Sequence, residues 1–260
     1  MPLTIGTNIG ALWASAAITS HQRGAETAMA RLASGKRINS SADDPAGVAI
    51  ASRMNSEIRS TSQAIRNALD GQALLDTAEG GHKEVENILQ RMREIAVQAA
   101  NDTNSAQDRD NLNAEMKALS TEIDRISSVT SWAGQNLMGE GRSQFSFQVG
   151  TSINAKSAIT VPINSMSANT LSVDHAAVSV NGPEASRSAI SAIDGAITLV
   201  NSQRSMLGAT SNRLSYAVNN LTNVSNNLTA ALGRIQDADY AAEITALAKH
   251  QILQKSAMAM

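Results

Sequence analysis

The chain has 260 residues with only two each of Phe, Tyr and Trp, and its net charge at pH 7 is −2 with acidic and basic residues interspersed. So small a charge excludes the basic field that nucleic acid or an anionic membrane surface requires, and we expect neither partner. The lack of cysteine excludes disulfides and thiolate chemistry, and no apolar run reaches the ~18 residues that a membrane span needs.

Residues 1–20 contain no charged side chain. A cleavable secretory signal has Lys or Arg before its apolar stretch, so this segment does not fit one. Its apolar residues recur at roughly helical spacing, which predicts an amphipathic helix: Leu3, Ile5, Ile9, Leu12, Trp13 and Ala16. The alternative is a frayed tail, because so short an apolar stripe has nothing to pack on without a partner.

After a polar break at 35–45, a long helix is predicted from 46 to about 100. Asp44 is a good N-cap, and Pro45 stands at the first helical position, where its missing N–H costs nothing. Gly80-Gly81 could kink this helix. A turn at 101–111 precedes a third, shorter helix, which is marked by Leu112, Met116, Leu119, Ile123 and Ile126.

The period then changes from helix to strand. Residues 144–150 and 159–163 alternate polar and apolar, which predicts a β-hairpin. Residues 165–185 are rich in Ser, Asn and Ala, with short strand-like pieces at 171–173 and 178–180, and we expect a surface insert there.

A heptad row of apolar residues dominates the last third of the chain and predicts a helix over 186–235. The row consists of Ile193, Val200, Leu207, Leu214, Leu221, Leu228 and Ile235. Polar residues at Arg204, Ser211 and Ser225 interrupt the second seam position, which indicates a helix that changes partner along its length. An apolar-periodic terminal helix follows and is expected to pair with the first one. The predicted fold class is mainly α, with long antiparallel helical rods in a coiled-coil-like bundle and a small β-hairpin region.

No catalytic constellation is present, and we expect neither an enzyme nor a cofactor. The four histidines, His21, His82, His175 and His250, are far apart in sequence and match no zinc spacing, so solvated or core-edge positions are favoured. The carboxylate pairs Asp43–Asp44 and Asp237–Asp239 could bind a metal, but such pairs beside a helix boundary more often act as caps.

Five segments, in matching order and spacing, closely resemble bacterial flagellin. They are RLASGKRINSSADDPAGVAIASRM at 31–54, LQRMREIAVQAANDTNS at 89–105, FQVG at 147–150, LGATSNRLSYAVNNL at 207–221 and RIQDAD at 234–239. The resemblance implies a secreted structural subunit of the extracellular flagellar filament. The inner tube of the filament would be lined by residues 1–40 with 236–260, which would be disordered in the monomer. The helical rod domain, with the hairpin, would consist of 41–164 with 184–235. A short variable insert would occupy 165–183.

The resemblance also implies partners. These are other copies of the chain in a helical homopolymer, the flagellar export chaperone, the cap and junction proteins, and the vertebrate innate flagellin receptor. By resemblance, the receptor contacts correspond to Gln90, Arg91, Ile95 and Glu115. The alternative is that these residues form a lateral contact between subunits. Arg91 and Glu94 are three positions apart on one helix face and are expected to be exposed.

Alternative functions remain within and outside this family: a hook-filament junction protein, or a surface flagellin homologue that binds polysaccharide. Flagellins usually continue beyond a point like Met260, so the resemblance implies either a truncated sequence or a short inner-tube helix.

Overall fold

The computed structural model describes residues 8–139, 143–152 and 154–259. In these ranges the main elements are α1 (Ile9–Ser34), α2 (Pro45–Ala99), α3 (Ala106–Val129), β1 (Ser131–Trp132), β2 (Gln135–Asn136), β3 (Ser143–Gln148), β4 (Ala158–Ile163), α4 (Pro183–Gln236) and α5 (Tyr240–Ala259). The mainly α fold class is confirmed, and the predicted long helices end within three residues of their expected bounds.

The chain packs as two compact units. Unit 1 consists of Met1–Arg59 and Asn223–Met260, and unit 2 consists of Ser60–Thr222. The predicted division of a filament subunit, near residues 40 and 236, concerns the assembled state and stays a prediction.

Local hydrogen bonds explain where α2 and α3 begin. The Gly47 N–H donates to Asp44 Oδ1 at 2.8 Å, so Asp44 caps α2 as predicted. Ser105 and Asp108 form a reciprocal capping box that starts α3 at Ala106, earlier than its apolar pattern indicates. Hydrogen bonds from the Ser105 hydroxyl and backbone N–H lower the pKa of Asp108.

In unit 2, α2 and α4 pack antiparallel. Three polar contacts establish the direction, since the residue number falls along α4 as it rises along α2: Gln72 with Ser215, Glu79 with Arg204, and Arg93 with Asp194. The heptad residues Ile193, Val200, Leu207 and Leu214 are buried in this unit. The predicted antiparallel helix pair is therefore formed over this part of both helices.

The predicted hairpin is confirmed. Strands β3 and β4 pair antiparallel, with Phe145 opposite Val161 and Phe147 opposite Ile159. The Phe147 ring lies against α2 at Gly71, where an added Cβ would come within 2.9 Å of its Cδ1. The hairpin is thereby fixed to the helices, because even an alanine at position 71 would displace that ring.

A second, two-residue hairpin was not predicted. Strands β1 and β2 pair through a turn in which Ala133 and Gly134 both have positive φ, 49° and 82°. Two such residues form the tight turn that suits a hairpin. The sequence signal is weak here because alanine rarely adopts this conformation.

The prediction of a surface insert at 165–185 is wrong where side chains of this segment enter the core. Eight side chains of this segment are buried, namely Ser165, Met166, Ser167, Ala168, Leu171, Val173, Val178 and Val180. The strand-like pieces at 171–173 and 178–180 are turns and irregular structure. Backbone groups of this segment form hydrogen bonds with residues distant in sequence and not with a neighbouring strand. For example, the Ala168 N–H donates to Asp124 Oδ1 at 2.8 Å. The segment is part of the core of unit 2.

In unit 1, α1 and α5 form an antiparallel pair. The pair is tied at one end, where Lys36 and Asp237 form a backbone bridge and the Ala238 N–H donates to Gly35 O at 3.0 Å. Gly35 ends α1 with φ 68°, a conformation that glycine adopts without strain. The predicted pairing of the two terminal helices is confirmed, while the expected contributions of Leu3 and Ile5 lie outside the described residues.

Candidate interaction surfaces

The pair of α1 and α5 buries very little. In the described residues of these two helices, the buried side chains are Ala25, Ala28 and Ala257. Two specific contacts add to them: an ion pair between Arg31 and Glu243 at 2.9 Å, and a hydrogen bond from the Tyr240 hydroxyl to Leu32 O at 3.1 Å. Small alanine side chains contribute little hydrophobic free energy, so the pair depends on further burial elsewhere.

The same pair exposes many large apolar side chains, which we call the terminal apolar surface. It consists of Ile9, Leu12, Trp13, Met29, Ile244, Ile252, Leu253 and Met258. Trp13 is 78% exposed and Leu12 is 62% exposed. Exposed apolar residues are ordinary one by one, but a concentration of them on one helix pair is typical of an interaction surface.

A second candidate surface surrounds Arg91 in unit 2. Arg91 donates to Glu115 Oε1 from Nε at 3.1 Å and from Nη2 at 2.8 Å, and its Nη1 reaches Glu94 at 3.0 Å. The hydrogen bonds that Arg91 donates to Glu115, and next the one to Glu94, raise the pKa of Arg91. The predicted exposure of Arg91 and Glu94 is confirmed, since 51% and 69% of their side chains are accessible.

The four predicted contact residues do not all lie on this surface. Gln90 is exposed, and the structure brings Arg91 and Glu115 together. Ile95, in contrast, is fully buried in the core of unit 2, so its inclusion among surface contacts is corrected. We call Gln90, Arg91, Glu94 and Glu115 the Arg91 patch. Ile95 belongs to the core of unit 2 and not to this patch.

The polar interruption at Arg204 proves to be part of a regular inter-helix array. Gln72, Glu79, Glu86 and Arg93 recur every seven residues on α2, and Arg204 of α4 bonds both Glu79, at 2.7 Å, and Glu86. The hydrogen bonding of Arg204 to the Glu79 carboxylate, which accepts, is the main cause that raises the pKa of Arg204. Arg204 therefore fixes the register of α2 against α4, whereas the sequence indicated a change of helix partner.

Replacing Arg204 by alanine should destabilise unit 2 by about 2–3 kcal/mol, below the full cost of breaking a buried pair because the site is partly accessible. Glu79 and Glu86 would lose their shared cation. Urea unfolding followed by Trp132 fluorescence in a Trp13→Phe background reports on unit 2 alone. The control Arg187→Ala removes an exposed ion pair with Glu184 and should change the free energy by less than ~0.5 kcal/mol. Equal effects of both variants would contradict the assignment.

A cleft of about 390 Å³ lies between α4 and the segment 164–171 in unit 2. The exposed side chains of Leu199 and Met206 line it together with Leu171. The sequence does not predict this cleft, because the composition of the segment that forms it favours a surface insert.

His21, His175 and His250 have the solvated or core-edge positions that were predicted, whereas His82 does not. His82 is fully buried in unit 2, with its Nδ1 2.6 Å from Ala78 O and its Nε2 without a partner. Burial lowers the pKa of His82, so the neutral ring is favoured. His21 and His250 are far apart in sequence, and the α1–α5 pairing brings their ring centroids to 5.7 Å.

The carboxylate pairs mostly act as caps. Asp43 Oδ2 accepts from the backbone N–H groups of Asn39 and Ser40, and these bonds lower its pKa. Asp239 Oδ1 accepts from Ala241 N–H at 3.0 Å at the start of α5. Across residues 8–139, 143–152 and 154–259, no group of three or more His, Cys, Asp or Glu side chains is arranged to hold a metal ion. Nor does any helix in that part of the chain have the length and apolar character to cross a bilayer.

Comparison with known proteins gives consistent matches. The family model of the bacterial flagellin N-terminal helical region matches residues 5–141, and that of the bacterial flagellin C-terminal helical region matches residues 190–260. The crystal structure of Bacillus cereus flagellin aligns with a TM-score of 0.51 at 30% identity, covering 64% of this chain and 94% of that one.

Curated relatives are longer than this chain. Polar flagellin F of Vibrio parahaemolyticus is 41% identical over 166 residues, which are 64% of this chain and 44% of the relative. Flagellin A of Vibrio cholerae is 43% identical over 152 residues, which are 58% of this chain and 40% of the relative. The chain thus spans less than half the length of these relatives.

Proposed function

The chain belongs to the bacterial flagellin family, and from this we propose that it is a structural subunit that self-assembles into the extracellular flagellar filament used for motility. The terminal apolar surface carries the proposal. A helix pair that buries three alanines and exposes eight large apolar side chains gains most of its hydrophobic free energy from neighbouring molecules.

Identical copies can supply that neighbour. A surface that packs against a different surface of the next copy makes a heterologous contact, and repetition of such contacts builds an open helical filament. The terminal helices of the monomer would then gain order on joining the filament, and the cost of ordering them would be offset by the apolar area buried there.

The proposed route and partners follow from family membership. The subunit would be exported through the flagellar channel with the help of an export chaperone and would meet the cap and junction proteins at the ends of the filament. In vertebrate hosts, the monomer would present the Arg91 patch to the innate flagellin receptor. Because neighbouring subunits would cover this patch in the filament, the receptor would bind it only in the monomer.

Negative-stain microscopy of the purified full-length chain tests the main proposal. Long filaments are expected when monomer is incubated with short filament seeds. A hook-filament junction protein would cap the seeds without extending them, and a polysaccharide-binding homologue would stay monomeric. The two Phe residues of β3 are partly buried against the core, which leaves them poorly placed as a sugar-stacking platform.

Replacing Arg91 by alanine should lower both receptor signalling and filament stability. The exposed pairs with Glu94 and Glu115 contribute little to the folding of the monomer, so the loss would concern partners. We expect a roughly tenfold higher concentration for half-maximal signalling, because a charge-assisted contact is lost. Reporter-cell assays and thermal dissociation of filaments measure the two effects.

Arg125→Ala is the matched control, since Arg125 forms a similarly exposed ion pair with Glu122 on α3 but lies outside the Arg91 patch. It should leave both measurements unchanged. Normal motility together with unchanged signalling in Arg91→Ala would contradict the role of the patch.

A further inference from the structure

His21 of α1 and His250 of α5 lie beside each other in the interface of the terminal helices. Their ring centroids are 5.7 Å apart, and the ring planes are tilted by 46°. Both residues are half-buried. The tilt means that the rings are not stacked face to face.

The surroundings of His250 make this arrangement specific. Its Nδ1 is shielded from solvent and has no hydrogen-bond partner. The ring lies directly over Gly24, where an added Cβ would be 2.5 Å from its Cε1 and 2.6 Å from its Nε2. A shielded nitrogen without a partner costs free energy, which a ligand would recover. Glycine at position 24 is what leaves room for the ring.

The spacing of the rings suits a shared metal ion. Two imidazoles bound to one ion through metal–nitrogen bonds of about 2.0–2.1 Å place their centroids about 5–6 Å apart. Neutral imidazole is a preferred ligand of Zn²⁺, Ni²⁺ and Cu²⁺, with Cu²⁺ bound most tightly. Ions that prefer oxygen ligands, such as Mg²⁺ and Ca²⁺, do not fit this pair.

We propose that His21 and His250 together bind a divalent transition-metal ion that links α1 to α5. Each histidine supplies one nitrogen, and water completes the coordination. The ion binds the paired helices and not the separated ones, so it stabilises the pairing in the monomer by linkage. Both ligands of the site come from one chain.

The test titrates the full-length monomer with Cu²⁺ and, separately, with Zn²⁺. Isothermal calorimetry gives the affinity, and electron paramagnetic resonance of the Cu²⁺ complex gives the number of bound nitrogens. We expect two imidazole nitrogens in the wild type and one in His21→Gln or His250→Asn, with affinity at least about tenfold weaker. Zn²⁺ should also slow proteolysis within α1 and α5 in the wild type but not in these variants.

Two further variants separate ligation from folding. Gly24→Ala keeps both histidines and improves helix propensity, but its Cβ displaces the His250 ring, so we expect weaker Cu²⁺ binding with helix content preserved. His175→Gln removes an exposed histidine of unit 2 and should leave binding unchanged. Wild-type affinity in either His21→Gln or His250→Asn, or in Gly24→Ala, would overturn the proposal, as would loss of binding in His175→Gln.

Discussion

The double substitution Leu12→Ala/Trp13→Ala should raise the critical concentration for filament formation by roughly 10²–10⁴-fold. Both side chains are mostly exposed in the monomer and would become buried between copies. Full burial of each such side chain contributes about 1.5–3 kcal/mol, and every 1.4 kcal/mol is about tenfold in an equilibrium constant. Alanine is the strongest helix former, so α1 itself should not be weakened.

Sedimentation of polymer at a series of monomer concentrations measures this effect. Ser15→Ala/Ser20→Ala is the matched control, because it places two alanines at exposed polar positions of the same helix and should polymerise as the wild type does. Unit 2 should unfold at the same urea concentration in all three proteins. If Leu12→Ala/Trp13→Ala polymerised at the critical concentration of the wild type, the proposal that the terminal apolar surface drives assembly would be contradicted.

Leu214→Ala should destabilise unit 2 by about 2–5 kcal/mol, since the leucine is fully buried and its truncation leaves a cavity. Leu228→Ala, two heptads later in the same row, should cost the monomer only about 1 kcal/mol, because Leu228 is half-buried. Urea unfolding of monomers in the Trp13→Phe background reports the first effect through Trp132 fluorescence, and urea unfolding followed by circular dichroism reports the second.

This pair of substitutions tests whether the heptad row has two different environments. Residues of the row from Ile193 to Leu214 are buried within unit 2, whereas Leu221, Leu228 and Ile235 are half-buried. Similar losses for Leu214→Ala and Leu228→Ala would show that the row is buried uniformly in the monomer. The filament should be weakened by Leu228→Ala more than the monomer is, if neighbouring copies cover that position.

The helix ends show how far local sequence carries a prediction. Asp44-Pro45 marked the start of α2 because capping involves residues within one turn, and the seven-residue period marked α4 because periodicity belongs to a single helix. The start of α3 was placed too late, since its first turn is polar and only the Ser105–Asp108 capping box marks it. The small and polar composition of 165–180 predicts a loop, yet the segment packs against the core through scattered apolar residues.

The sequence by itself determined the helices, their caps, the β3–β4 hairpin and the family, because each depends on residues close together in the chain or on a string of motifs. Only the tertiary structure decided which distant side chains meet. Arg204 joins Glu79 and Glu86, Arg91 joins Glu115, Ile95 is withdrawn into the core, and His21 lies beside His250. These contacts depend on the register between packed helices, and that register is set by the fit of the whole interface.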